Sequence, residues 1–239
     1  MAPMTLMTFT TGMTSIGMTK NMLTVRGLSK RWAAHHVLSN VSFQQPAGSI
    51  LGIAGDNGAG KSTLLKILAT VLPRDEGEVS FSGISLDDRS KWRSLTGYVP
   101  QELALDERLR VRETLSFWSA ARGFSKEERK QLLEVASQDP LISDFLDKPI
   151  RECSGGMARR VSLIVGLLGD PMLILLDEPF AGADRHSRTL MMERLDLLRA
   201  RGRTILVSSH EDGVLESLCD SVLRIELAKS QSEAQKVLP

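Results

Sequence analysis

The chain has 239 residues, 42% of them hydrophobic and 25% charged, with a formal net charge of +1. This is the make-up of an ordinary folded domain; it argues against a nucleic-acid-binding surface, and two distant cysteines argue against a disulfide framework or a zinc site. The apolar runs are too short for a transmembrane helix, and Cys153 and Cys219 suit a reducing cytoplasm.

Residues 1–21 are rich in Met and Thr, with Lys20 the single charged side chain. They lack the basic start, apolar block and cleavage site of a secretory signal. A disordered tail is expected, with Met18 and Met22 as alternative starts. The globular pattern begins at Met22. Residues 23–26 and 37–43 alternate as strands, and Ser29-Lys30-Arg31-Trp32 lies between them. Trp32 is either an aromatic platform for a purine base or the packing of a loop.

Residues 49–54 read as a buried strand and 63–69 as a helix ended by Pro73. Between them runs Gly55-Asp56-Asn57-Gly58-Ala59-Gly60-Lys61-Ser62, a full match to the P-loop pattern in its strand–loop–helix context. Glycines let the backbone curl so that successive N–H groups face phosphate oxygens. The helix N-terminus adds its positive end. The expected phosphate contacts are Asn57, Gly58, Ala59, Gly60, Lys61, Ser62 and Thr63. Lys61 can reach the β- and γ-phosphates, and the Ser62 hydroxyl can ligate Mg²⁺.

Residues 77–81 read as an edge-type strand and 95–100 as a short strand, with Gln101 just beyond it. From 102 to about 153 the pattern turns helical. Its apolar positions are Leu105, Leu109, Leu115, Phe117 and Trp118, followed by the charged run 126–130, a solvated helix face. A helical insertion in a parallel-sheet core is expected. Ser154-Gly155-Gly156 opens the next helix, with Ser as a favoured N-cap. Residues 172–176 form a buried strand that ends in Asp177 and Glu178, at the carboxyl edge where α/β sheets bind ligands. Asp177 is a candidate Mg²⁺ ligand. Glu178 is a candidate general base for the attacking water. A helix over 188–199 and a strand over 204–209 follow, and the strand delivers His210 to the presumed phosphate site. A helix over 213–219 and a strand over 221–226 close the pattern. Residues 227–239 read as a frayed polar tail.

Together these motifs resemble the ATP-binding subunit of an ABC transporter, over residues 22 to about 226. Trp32 matches the adenine-stacking aromatic, residues 55–62 the Walker A loop, and Gln101 the Q-loop. Ser154-Gly155-Gly156 matches the signature, residues 173–177 Walker B with Glu178 next, Ala181-Gly182-Ala183-Asp184 the D-loop, and His210 the switch histidine. The signature standing before Walker B separates this family from other P-loop proteins. The resemblance implies an α/β fold: a P-loop NTPase core with a mostly parallel sheet, an N-terminal antiparallel β subdomain and an inserted helical subdomain at about 102–160.

The same resemblance implies a mechanism. Two such subunits, a second copy or a homologous ATPase, sandwich two ATP molecules. Ser154, Gly155 and Gly156 act on the partner's γ-phosphate, and Asp184 of the D-loop is among the nucleotide-binding residues. Gln101 senses Mg²⁺ and the attacking water. The cofactors implied are ATP and Mg²⁺, and the other partner is an integral-membrane permease subunit. The chain is then cytoplasmic and peripheral on the inner face of the cell membrane. Cys153, Met157 and Ala183 depart from the commonest residues of the family, and none removes a group that handles phosphate or metal. The short insertion and the Ser-Gly-Gly-Met-x-Arg-Arg run look most like exporters with separate membrane chains. The alternative is a soluble ABC-type ATPase acting in assembly or scaffolding. A small-molecule P-loop kinase leaves the signature without a role.

Overall fold

The computed structural model describes residues 22–33 and 35–226. The expected tails, residues 1–21 and 227–239, lie outside the described residues. The first two strands, β1 (Leu23–Trp32) and β2 (His35–Gln45), are longer than the alternation suggests. Trp32 therefore stands at the end of a strand, in register with His35, rather than in a loop. The remaining strands are β3 (Ile50–Ala54), β4 (Glu76–Phe81), β5 (Ile84–Ser85), β6 (Thr96–Val99), β7 (Leu173–Asp177), β8 (Thr204–Ser208) and β9 (Ser221–Arg224). The helices are α1 (Lys61–Leu68), α2 (Arg89–Leu95), α3 (Val111–Ala121), α4 (Lys126–Ala136), α5 (Gly155–Leu167), α6 (Arg185–Ala200) and α7 (Asp212–Leu218).

Two sheets result. An antiparallel sheet runs β2-β1-β4-β5, and a parallel sheet runs β6-β7-β8-β3-β9. The expected edge strand β4 is paired on both sides, because residues 82–83 turn the chain into the two-residue β5. The parallel sheet is buried on both faces, as its continuous apolar runs require. Side chains alternate along it. Ile50, Ile174, Leu176, Ile205 and Val207 join the cluster formed by α5, α6, α7 and the helical insertion. Leu51, Ile53, Leu173, Leu175 and Leu206 face α1 and the antiparallel sheet.

Helix α1 starts at Lys61 and stops well before Pro73. Thr70 turns into the left-handed region at φ 58°, and the indole of Trp92 donates to the Leu68 carbonyl at 2.6 Å. Trp92 belongs to α2, which the apolar pattern does not reveal. Helix begins in the insertion only at Val111, and residues 102–110 form a loop. At its far end α5 continues to Leu167 and packs on β6. The insertion is locked to α6 by a buried ion pair, Arg194 to Asp139, at 2.7 and 2.9 Å. No helix among the described residues is long and apolar enough to cross a membrane.

Candidate active site

The strand order brings the site together. β8 lies between β7 and β3, so the segments leaving β3, β7 and β8 converge at one carboxyl edge. The P-loop leaves β3. Gly55 has φ 146°, and a Cβ there would collide with the Ile225 carbonyl. Gly60 has φ 109°, and its Cβ would press on Leu38 and Val37 of β2. The curl of the loop thus needs glycine at both places. Helix α1 has no side-chain cap and no acidic residue in its first turn. Its leading N–H groups, those of Lys61, Ser62 and Thr63, have no intrahelical acceptor. A phosphate suits that helix end in hydrogen bonding and in charge.

Lys61 is buried, and its ammonium donates to the carbonyls of Gly55 and Asp56 at 2.7 and 3.2 Å. It therefore lies across its own loop. The Ser62 hydroxyl donates to Asp177 Oδ1 at 2.9 Å, and the Ser208 hydroxyl donates to the same oxygen at 2.8 Å. Asp177 is 0% exposed, and its Oδ2 is buried with no hydrogen-bond partner among the described residues. A hydroxyl beside a carboxylate with an unused oxygen is a fitting donor set for Mg²⁺, a hard cation that takes oxygen ligands.

Glu178, 7% exposed, follows in the left-handed region at φ 48°. Such a conformation costs a non-glycine residue about 1–3 kcal/mol and persists where the surroundings impose it. Here the Glu178 N–H donates to Ser208 Oγ at 2.9 Å, and its Oε2 lies 3.0 Å from Nδ1 of His210. The imidazole side chain is 54% exposed, so it covers the buried carboxylate from the solvent side. The segment after His210 is held by Arg188, whose guanidinium donates to both Glu211 carboxylate oxygens at 2.8 and 3.1 Å.

Trp32 is 52% exposed. The Lys30 ammonium lies 5.6 Å from its ring centroid. Lys30 pairs with Leu38, the residue that a Cβ on Gly60 would touch. Trp32 is two residues further along the strand, about 7 Å, and it fills no loop core.

The signature residues gather elsewhere. Ser154 caps α5 by accepting the Met157 N–H at 3.2 Å, which leaves its hydroxyl proton free to donate. A Cβ on Gly156 would collide with Asp184 Oδ2. Asp184 in turn caps α6, accepting from the N–H and hydroxyl of Ser187, both at 2.9 Å. Those bonds hold its carboxyl below the ordinary range. Ser154, Gly155, Gly156 and Asp184 thus form a second cluster, and no hydrogen bond among the described residues joins it to the P-loop. Gln101 stands apart from both, exposed, with its main-chain carbonyl held by Arg159.

Beside Gln101 a cavity of about 310 Å³ is lined by Tyr98, Pro100, Leu105, Trp118, Arg122 and Ser162. Phe117, 58% exposed, sets its edge against Trp118 with ring centroids 5.5 Å apart. The Tyr98 hydroxyl is buried without a partner among the described residues, and burial lowers the Arg122 guanidinium from its ordinary range. Leu115 fills the core while Phe117 faces outward, so the insertion's apolar residues divide between the two duties.

Two functional residues escape the motif reading. Ser208 binds Asp177 and the Glu178 N–H through one hydroxyl, and Arg159 contacts two loops. A hydroxyl at the end of an otherwise apolar strand is the available signal for Ser208.

The site is that of a nucleotide-hydrolysing P-loop protein. The ABC transporter family model matches residues 38–181, and the chain belongs to that family. It is 34% identical over 217 residues to a Nod factor export ATP-binding protein I of Rhizobium sp. (strain N33), covering 90% of this chain and 71% of the relative. A linearmycin resistance ATP-binding protein of Bacillus subtilis (strain 168) is 33% identical over 84% of this chain and 65% of its own. The structure of an ATP-binding subunit of an ABC transporter superposes with a TM-score of 0.76 at 30% identity, over 86% of this chain and 88% of that one. A dimeric ATP-binding cassette in a post-hydrolysis state, bound to ADP and Pi, gives 0.76 at 25% identity over 87% and 97%. This chain is an ATP-binding and ATP-hydrolysing ABC subunit.

Proposed function

We propose that this chain powers an exporter by binding ATP between two ATPase subunits and hydrolysing it. The observation that carries the reading is the linked series Ser62–Asp177–Ser208–Glu178–His210, set against an uncapped P-loop helix. The P-loop N–H groups and Lys61 hold the phosphates, and Trp32 stacks on the adenine. Ser62 and Asp177 hold Mg²⁺, with Gln101 reaching it when its loop moves in. Held there, the metal would neutralise negative charge on the phosphates. Glu178 accepts a proton from the attacking water. His210 fixes the Glu178 carboxylate and stands ready to donate toward the γ-phosphate.

The signature cluster needs a different phosphate from the one on this chain's own P-loop. A second subunit placed head to tail supplies it. The Ser154 hydroxyl and the leading N–H groups of α5 then close over the other subunit's γ-phosphate. The export names of the relatives support export as the direction. The partner in the membrane is a permease whose cytoplasmic helix rests on the groove at Leu105, Trp118 and Arg122. Such a groove suits a helix with an apolar anchor and polar rim contacts. The chain then works at the inner face of the membrane.

Single cysteines across residues 102–118 test the docking. The exposed position Phe117 should crosslink to an integral-membrane protein when the chain is expressed with its genomic neighbours. Capture of no membrane protein at any position, with the chain in the soluble fraction, would favour an ABC-type ATPase of assembly or scaffolding.

A further inference from the structure

Arg159 is the second residue after Met157 on α5, one turn beyond the signature. Its guanidinium spans two loops. Nη1 donates to the main-chain carbonyl of Gln101 at 2.5 Å, and Nε donates to the carbonyl of Ala181 at 3.1 Å. Those loops leave β6 and β7, which are neighbours in the parallel sheet. The Ala181 N–H in turn donates to the Glu178 carbonyl at 3.2 Å. One side chain therefore ties the Q-loop to the turn that carries the catalytic carboxylate. Glu178 sits in that turn in a left-handed conformation, which other parts of the structure must impose. Burial disfavours the Arg159 charge, while Glu178 and then Asp177 favour it, so the guanidinium lies in the field of both site carboxylates.

The next residue, Arg160, has a different duty. Its guanidinium carbon lies 4.7 Å from the Phe145 ring centroid, and its Nε is buried without a partner among the described residues. Arg160 packs the insertion, whereas Arg159 bridges two loops. Both Arg159 bonds go to main-chain oxygens of motif loops, so no side chain at the other end announces the contact. A guanidinium offers several N–H donors in a rigid fork, and an ammonium is a single point.

We infer that Arg159 is a positioning residue for hydrolysis: it fixes the Glu178 turn through Ala181 and transmits displacement of the Q-loop at Gln101 to that turn. The inference rests on the ATPase reading. A docked partner that shifts the loop beside the groove pulls on Gln101, and the fork passes the movement to the carboxylate. Arg159 touches neither nucleotide nor the attacking water. Its effect on rate runs through Glu178.

The test is steady-state ATPase kinetics and fluorescent-ATP titration on the full chain, in a set of four proteins besides the wild type: R159Q, R159K, E178Q and the double variant R159Q/E178Q. Displacement of a reacting group by about 1 Å costs up to roughly 100-fold, so R159Q should lose roughly 10- to 100-fold in kcat with the ATP KM and Kd within about 2-fold. R159K, which keeps the charge without the fork, should recover part of the loss. In the E178Q background R159Q should change the residual rate less than about 2-fold, because residues acting through one another are non-additive. A structural role would lower both backgrounds alike, and that result overturns the inference. So does wild-type kcat in R159Q, or in R159K if R159Q does not fold. A wild-type chain that hydrolyses no ATP defeats the underlying reading instead.

Discussion

Ser62 and Asp177, 115 residues apart in the chain, meet at 2.9 Å. The contact joins the first residues of α1 to the end of β7, and β8 supplies Ser208 to the same carboxylate oxygen. The second oxygen, Asp177 Oδ2, is buried and unpartnered among the described residues. A buried polar atom without a partner costs about 1–3 kcal/mol. On the proposed reading, a metal held with Ser62 would offset that cost on binding, and the unbound fold would then store part of the affinity for the Mg²⁺–nucleotide complex.

Glu178→Gln should keep ATP binding and slow hydrolysis by roughly 10²- to 10⁴-fold, the range for loss of a general base. The amide keeps the shape of the side chain and its contact with His210, so the fold should hold. Parallel ATP titration and phosphate-release assays check both halves. An undiminished rate would remove Glu178 from the mechanism.

Lys61→Ala removes an ammonium that holds two carbonyls of its own loop. Those carbonyls lie near the surface, and water replaces the donor. ATPase activity should be lost while the thermal midpoint moves by no more than a few degrees. Normal turnover in a folded variant would contradict the P-loop role.

Much of the candidate site is legible in the sequence because phosphate chemistry demands particular residue types at fixed spacing. Glycines at 55, 58 and 60, a lysine and a hydroxyl define the loop by their order alone. The apolar runs of β3, β7 and β8 show equally well, since a sheet buried on both faces tolerates little polarity. What escapes depends on neighbours far apart in sequence. Arg159 meets main-chain carbonyls, and a carbonyl carries no residue signature. Helix α2 is seven residues long with Trp92 its one buried side chain, too little for a periodic stripe. The far end of β1 at Trp32 is hidden for another reason: register shifts along the strand interrupt its alternation.

Arg194→Leu should destabilise the fold by about 3–5 kcal/mol, because Asp139 is left buried without its counter-charge. Replacing both, as Asp139→Asn with Arg194→Leu, should recover part of the loss. Urea denaturation of the two variants measures it. Equal losses in the single and double variants would show that the pair does not act as an ion pair.

Cys219 lies against Gly52, and burial, helped by Asp220, pushes its thiol up to about 12. The thiolate is the reactive form, so at pH 8 alkylation should be slow in the native chain and fast in urea. The linkage has a definite sign. The folded thiol stays neutral while the unfolded one ionises from about pH 8.5, so this contribution is complete below that pH and is lost as pH rises toward 12. Mass spectrometry of iodoacetamide-treated protein reads the protection directly. Equal native and denatured rates would place the thiol in solvent.

Closure of two subunits by ATP, across the P-loop of one and the signature of the other, is the step on which the proposed mechanism depends. Light scattering of the Glu178→Gln chain during size-exclusion chromatography measures it, with Mg²⁺–ATP compared against Mg²⁺–ADP. A dimer is expected with ATP, a monomer with ADP, and loss of the ATP dimer when Ser154→Arg is added. A chain that binds ATP yet stays monomeric at saturation, or that dimerises equally with ADP and with Ser154→Arg, would contradict it.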